Sequence, residues 1–220
     1  KKPLLRLHHT LKLTLGMVFG TCAEVHQAIA EIDKAHRPAT GKIEGKIGKH
    51  NAGASYNPRN PRQALWVYAT LVEGAISGYE VLVAPLEDSK KQEMIDNSSQ
   101  IAEWMGIPAQ YIPKTYADLQ AYMSSAIADQ EIIVSEKARK IAPFITAQSI
   151  PLLNIMSYPL IRVNLALLPP TLQAQYGYQL ADWQQSLIAG SFKLSRTITP
   201  RLPHFVRYAP EYHRAMRLKY

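Results

Sequence analysis

The run Asn60-Pro61 followed by Leu65-Trp66-Val67-Tyr68-Ala69-Thr70-Leu71-Val72 constrains this chain most. Asparagine accepts hydrogen bonds from the open N–H groups of a first helical turn. Proline at the first position loses nothing there, because its missing N–H would have no helical partner. The pair therefore starts a helix, and the apolar residues behind it carry that helix from Leu65 through Val83 to a stop at Pro85. So apolar a segment reads as a buried helix, and the rest of the chain must supply its cover. Gly74 and Gly78 lie four apart on it. Their missing side chains allow another helix, or a flat ring, to approach closely.

The remaining segments are helical too. Leu4, Leu7, Leu11, Leu15, Val18 and Phe19 recur at helical spacing. Arg6, His9 and Thr10 lie at i, i+3 and i+4 and share one face, whereas His8 points about 100° away from His9 and makes a poor chelate with it. Thr21-Cys22-Ala23-Glu24 is a capping box that starts a second helix. That helix ends near His36, because Pro38 pushes Arg37 out of the α region. Residues 40–58 place glycines among lysines without a helical period, which predicts a loop with short extended pieces. Its Gly48-Lys49-His50 lacks the hydroxyl and the earlier glycine of a phosphate-binding loop. Asp88-Ser89 is expected to cap a helix over 90–105, Thr115 to Asp118 one to 129, and Ser135 one to 144. A further helix is expected over 171–189 and a short last one near 211–218. No internal repeat or strand–helix alternation is visible. The reading is an all-α fold of about eight helices around one core, with residues 1–220 forming a single domain.

The formal charge is +8, and only 42–49 and 201–219 are locally rich in Lys and Arg. No zinc-finger spacing, basic heptad or aromatic RNA-binding motif accompanies that charge, so it reads as a solvated surface rather than a nucleic-acid site. Cys22 is the single cysteine, which excludes an intrachain disulfide and cysteine-based zinc sites, and it reads as a buried thiol. The most apolar run, Ile150 to Leu168, is interrupted by Pro151, Asn154, Pro159, Arg162 and Asn164. A membrane span needs about 20 mostly apolar residues, so the run reads as a broken core segment. A cytoplasmic location or peripheral membrane contact is compatible with that. The chain opens on Lys1-Lys2-Pro3 without Met and without a visible signal peptide, which suggests further residues upstream.

The chemistry-bearing residues narrow the function by elimination. No histidine is followed at the spacing of a facial triad by a carboxylate, and HExxH is absent. Asp33 and His36 lie at i, i+3, but a di-iron bundle needs that motif twice. His26 and His36 are ten apart on one helix, about 15 Å along its axis, and do not share an ion. There is no Gly-x-Ser-x-Gly elbow. What is left is a helical core with single, separated histidines, the pattern of haem proteins, in which one imidazole suffices as axial ligand. A helix-end cap or a surface residue is the competing reading of His36.

An ordered set of short motifs points further. Arg6-Leu7-His8-His9-Thr10 looks like an Arg-x-x-x-Thr motif, and Phe19-Gly20 and His36 follow at matching spacing. Gly53-x-x-Tyr56, Asn60-Pro61 and the Leu65 to Val72 block come next. Pro85-Leu86, Gly106-Ile107-Pro108, Leu168-Pro169, Tyr176-Gly177 and Leu202-Pro203 with Arg207 continue the order. Across nearly its full length the chain resembles the MpaB and latex-clearing-protein (rubber oxygenase) family of haem-b-linked oxygenases.

The resemblance implies a globin-like core with haem b as cofactor, and O2 and a small apolar substrate, such as an isoprenoid alkene, as partners. His36 would be the proximal iron ligand, its other ring nitrogen held by Asp33 or a backbone carbonyl. Arg6 and Thr10 would be catalytic on the distal side or near the propionates, and His9 a candidate sixth ligand of the iron. Tyr68 would line the cofactor pocket where the family has histidine. The acidic residue that rubber-cleaving members use would fall before Lys1. Two alternatives stand beside the oxygenase: a haem-binding or redox-sensing protein without turnover, and a haem-free helical partner protein. Oligomeric state is not legible.

Overall fold

The structure, a computed structural model, describes residues 3–146 and 164–218. The expected broken core segment falls largely outside those residues. The chain is all-α, in agreement with the sequence. Among the described residues its strands are two residues each, β1 (Gly41–Lys42) and β2 (Ser55–Tyr56), paired antiparallel in the glycine-rich loop.

The first two helices, α1 (Pro3–Phe19) and α2 (Cys22–His36), are joined through Gly20 and Thr21 and pack on each other. The capping box forms as expected. The Thr21 hydroxyl accepts from the Glu24 N–H at 3.4 Å, and Glu24 accepts from the Thr21 N–H at 2.8 Å. Cys22 corrects an expectation, because it is exposed. It is the first residue of α2, ahead of Val25 and Ala28, where that helix begins to bury its face.

Helix α3 (Pro61–Leu82) is the long central element, with Asn60 as its cap and Pro61 at its first position. Its buried residues are Leu65, Tyr68, Ala69, Val72 and Ile76, a single stripe at helical spacing. Onto this stripe pack Ile95 and Ala102 of α4 (Asp88–Trp104), Ile107 and Ile112 of the following loop, and Leu119 of α5 (Tyr116–Ala128). Ile76, Ile95 and Leu119 are fully buried. Each contributes about 1.5–3 kcal/mol of transfer free energy. The N-cap of α4 is Glu87, without a side-chain bond, rather than Asp88 or Ser89. Thr115 and Asp118 cap α5 reciprocally, as the sequence indicated.

Helix α6 (Glu136–Thr146) follows. The expected helix over 171–189 is two helices, α7 (Pro170–Tyr176) and α8 (Asp182–Ile198). Gly177 separates them with φ of 75°, the left-handed conformation that ends a helix most cheaply at glycine. Helix α8 lies on α3, with Ser195 Oγ donating to the Leu82 carbonyl and Arg196 Nε to the Glu80 carbonyl, both at 2.8 Å. The short α9 (His204–Arg207) and α10 (Pro210–Leu218) close the described chain. Among the described residues this exceeds the eight helices expected. No helix there is long and apolar enough to cross a membrane.

The loop over 41–58 is pinned to the end of α5. Gly48 has φ of 56°, and a Cβ there would stand 2.7 Å from the Gln130 carbonyl oxygen. Lys49 pairs with Glu131 at 2.7 Å, and the His50 imidazole bonds the Glu131 carbonyl at 2.9 Å. Close approach, not a phosphate, explains this glycine.

Candidate functional site

Arg6, His9, Thr10 and His36 lie in the halves of α1 and α2 remote from the Gly20–Thr21 turn. Counted at 1.5 Å per residue from the turn, His9 lies about 17 Å along α1, and Arg6 and His36 each about 22–23 Å along their helices. Arg6 and His36 therefore stand at similar distances from the turn, and His9 about one helical turn nearer to it. The Arg6 side chain lies outside the described residues. His9, Thr10 and His36 are exposed. Among the described residues, neither the His9 nor the His36 ring has a hydrogen-bond, ion-pair or ring partner.

The other histidines are differently placed. His26 lies 4.4 Å from the ring of Trp104, and His204 is 5.1 Å from Tyr208. His213 stands edge-on to Tyr208 and Tyr212, and among the described residues its Nε2 is buried without a partner. Among the described residues no three His, Cys, Asp or Glu side chains stand together as a metal site.

Asp33, one turn before His36, does not hold the imidazole. Arg59 grips it side-on, Nε to Oδ1 and Nη2 to Oδ2, both at 2.7 Å, and Arg37 adds a bond at 3.2 Å. The Arg59 bond, followed by that from Arg37, holds the Asp33 carboxyl down at about 2. The bidentate pair ties the last turn of α2 to the residues just before α3. Arg59 sits in a loop without periodicity, so no sequence signal paired it with Asp33.

Tyr68 is 3 % exposed and belongs to the core stripe of α3. Its hydroxyl meets Ser98 Oγ at 2.9 Å. Burial pushes its phenol up, so it stays a neutral donor. On the opposite side of α3, among the described residues, Val67 and Leu71 are exposed, as are Gly74 and Ala75. A Cβ at Gly74 or Gly78 would meet no atom within 4 Å. Close packing of a second helix therefore does not account for the two glycines among the described residues.

A second titratable cluster lies between α3 and α5. The Glu73 carboxylate accepts from Tyr116 Oη and from Gln120 Nε2. Burial pushes Glu73 up, and burial together with the Glu73 charge pushes Tyr116 up to about 12. Lys91 and Glu80 pair beside it at 2.9 Å. Glu73 stands in an apolar helix, and its partners come from another helix, so the cluster was not legible in the sequence.

Among the described residues, fold and site together define an all-α domain with the His9 and His36 imidazoles exposed and one side of α3 apolar and exposed. The family described as "ER-bound oxygenase mpaB/B'/Rubber oxygenase, catalytic domain" matches residues 1–198, and the chain belongs to that family. No curated protein and no solved structure matches the chain.

Proposed function

We propose that this domain is a haem-b-dependent oxygenase acting with O2 on a small apolar substrate, an alkene of isoprenoid type. The family match over residues 1–198 carries the reading. The residues fit the cofactor in type: a porphyrin needs one free imidazole and an apolar surface, and His36 and the Val67–Leu71 side of α3 offer these. Bound haem would supply an iron centre for dioxygen chemistry. His36 would hold that iron, and the Asp33–Arg59 pair would fix the helix end that carries it. Because Asp33 is committed to arginines, a backbone carbonyl is the remaining candidate to orient the imidazole. Arg6 and Thr10 would position O2 or a propionate, and His9 is the candidate for the sixth iron position. Gly74 and Gly78 leave room for a flat ring or an apolar chain along α3. The single-domain reading of residues 1–220 belongs to the same proposal, as does the globin-like arrangement of the core.

A second reading, haem binding without turnover, is favoured by Tyr68. Where the resembled family has histidine, this chain has a phenol turned into the core and bonded to Ser98. Oxygen uptake by the haem-loaded protein with an isoprenoid alkene separates the two. Uptake coupled to alkene loss supports the oxygenase. Stoichiometric haem without uptake favours the second reading.

A further inference from the structure

Helix α8 has two apolar sides, and among the described residues only one of them is covered. Ile188, Phe192 and Ser195 are half-buried on the side toward α3, where Ser195 bonds the Leu82 carbonyl. On a second side, Trp183, Leu187, Leu194 and Ile198 are 64, 64, 59 and 45 % exposed. At about 100° per residue these four fall within an arc of about 60°, with Gly190 at its border. The strip runs about 22 Å along the helix. So long a row of large apolar side chains in solvent marks an interaction surface.

The order of these residues selects the occupant. They are symmetric about the Gly190–Ser191 bond: Trp183 and Ile198 lie equally far on either side of it, and so do Leu187 and Leu194. Turned end for end, the strip therefore matches itself, which is the condition for a two-fold contact. Two copies meeting this way set Trp183 against Ile198 of the second copy and Leu187 against its Leu194. The small residues fall at the crossing, where two helix axes come closest. Gly190 has no other use among the described residues: a Cβ there would meet no atom within 4 Å, and glycine weakens a helix interior. The ends of α8 are opposite in charge, with Asp182 in the first turn and Arg196 in the last. Antiparallel pairing sets each acidic end beside the basic end of the other copy and aligns the helix dipoles favourably, whereas parallel pairing sets like against like.

We propose that α8 pairs antiparallel with α8 of a second copy of this chain, making a two-fold dimer. Four side chains per copy form a strip at the small end of specific interfaces, where roughly 800 Å² per partner is standard, so the dimer exchanges at micromolar concentrations. No residue assigned to haem takes part, and the inference stands apart from the oxygenase reading.

Sedimentation velocity of the 220-residue chain from about 1 to 200 µM tests it. The chain should pass from monomer to dimer across that range and go no further. Leu187→Gln should weaken association at least about a hundredfold, because each buried apolar side chain is worth a tenfold step or more and the two-fold axis counts it twice. Gly190→Gln should favour the helix itself, glutamine being the better helix former, yet leave the chain monomeric, because its bulk stands at the crossing. Both variants should keep the parental circular dichroism, since both positions are exposed. Phe205→Ser, which removes an exposed apolar group outside the strip, should dimerise like the parent. The proposal is overturned by a chain that stays monomeric throughout, by a dimer that survives Leu187→Gln or Gly190→Gln, or by assemblies that grow beyond two. Lower thermal stability of Leu187→Gln at concentrations where the parent is monomeric would also overturn it, making another part of the same chain the occupant.

Discussion

Removing one oxygen from Tyr68 decides whether that side chain belongs to the core or to a cofactor pocket. Ser98 Oγ donates to the Ile95 carbonyl at 3.2 Å, which leaves the Tyr68 hydroxyl as donor in the 2.9 Å contact between them. Tyr68→Phe therefore removes one neutral hydrogen bond and strands no buried donor. The ring keeps its packing against the α3–α4–α5 core. The expected cost is that of an ordinary net hydrogen bond, about 0.5–1.5 kcal/mol. In a chain of this size that lowers the melting temperature by about 2–4 °C per kcal/mol. Tyr68→Ala removes the ring as well and should cost about 3–5 kcal/mol, as for other large buried aromatics. Thermal and denaturant unfolding followed by circular dichroism measures both, and the visible spectrum of the haem-loaded variants should match that of the parent. Unchanged stability with a shifted haem spectrum in Tyr68→Phe would refute the core assignment. It would place the phenol against the cofactor instead.

Three further outcomes follow from the charged groups and the thiol. Asp33 has a folded pKa depressed to about 2, so its contribution to stability is present above the ordinary carboxylate range and is lost as pH falls through 4 toward 2. Arg59→Ala should return the Asp33 titration, read by carboxylate NMR, most of the way to the ordinary value and flatten acid unfolding in that window. Tyr116 is raised to about 12, so the folded state holds its proton longer than the unfolded chain, and stability falls as pH rises from 10 through 12. Glu73→Gln removes the adjacent negative charge, and should lower the Tyr116 phenol titration, read by ultraviolet absorbance, toward 10. Cys22, being exposed, should react with a thiol reagent in the native protein at a rate close to that in denaturant, whereas a buried thiol would be protected.

Local chemistry made the helix starts at Thr21, Asn60 and Thr115 readable, because a cap and its partner lie within three residues. The core face of α3 was equally local: Leu65, Tyr68, Ala69, Val72 and Ile76 form one stripe, and the stripe places Tyr68 inside. The family resemblance gives that residue a pocket role as well, which Tyr68→Phe tests. The split at Gly177 was marked by a glycine after an aromatic, but the segment on either side is equally helix-forming, so only the left-handed backbone reveals the break. Arg59 with Asp33, Glu73 with Tyr116, and Tyr68 with Ser98 join residues 26 to 43 apart. Such pairs depend on how helices dock, which no local pattern encodes. The similar distances of Arg6 and His36 from the turn at Gly20 needed only residue counts and the helical rise.

The visible absorption spectrum of the purified chain, with its iron content, read beside that of His36→Ala, tests the central claim most directly. The account predicts an intense Soret band with stoichiometric haem in the parent. In His36→Ala that band should be lost while far-ultraviolet circular dichroism stays unchanged, because His36 is an exposed last residue of its helix. Full haem occupancy in His36→Ala, or a parent chain that takes up no haem on reconstitution, would contradict it.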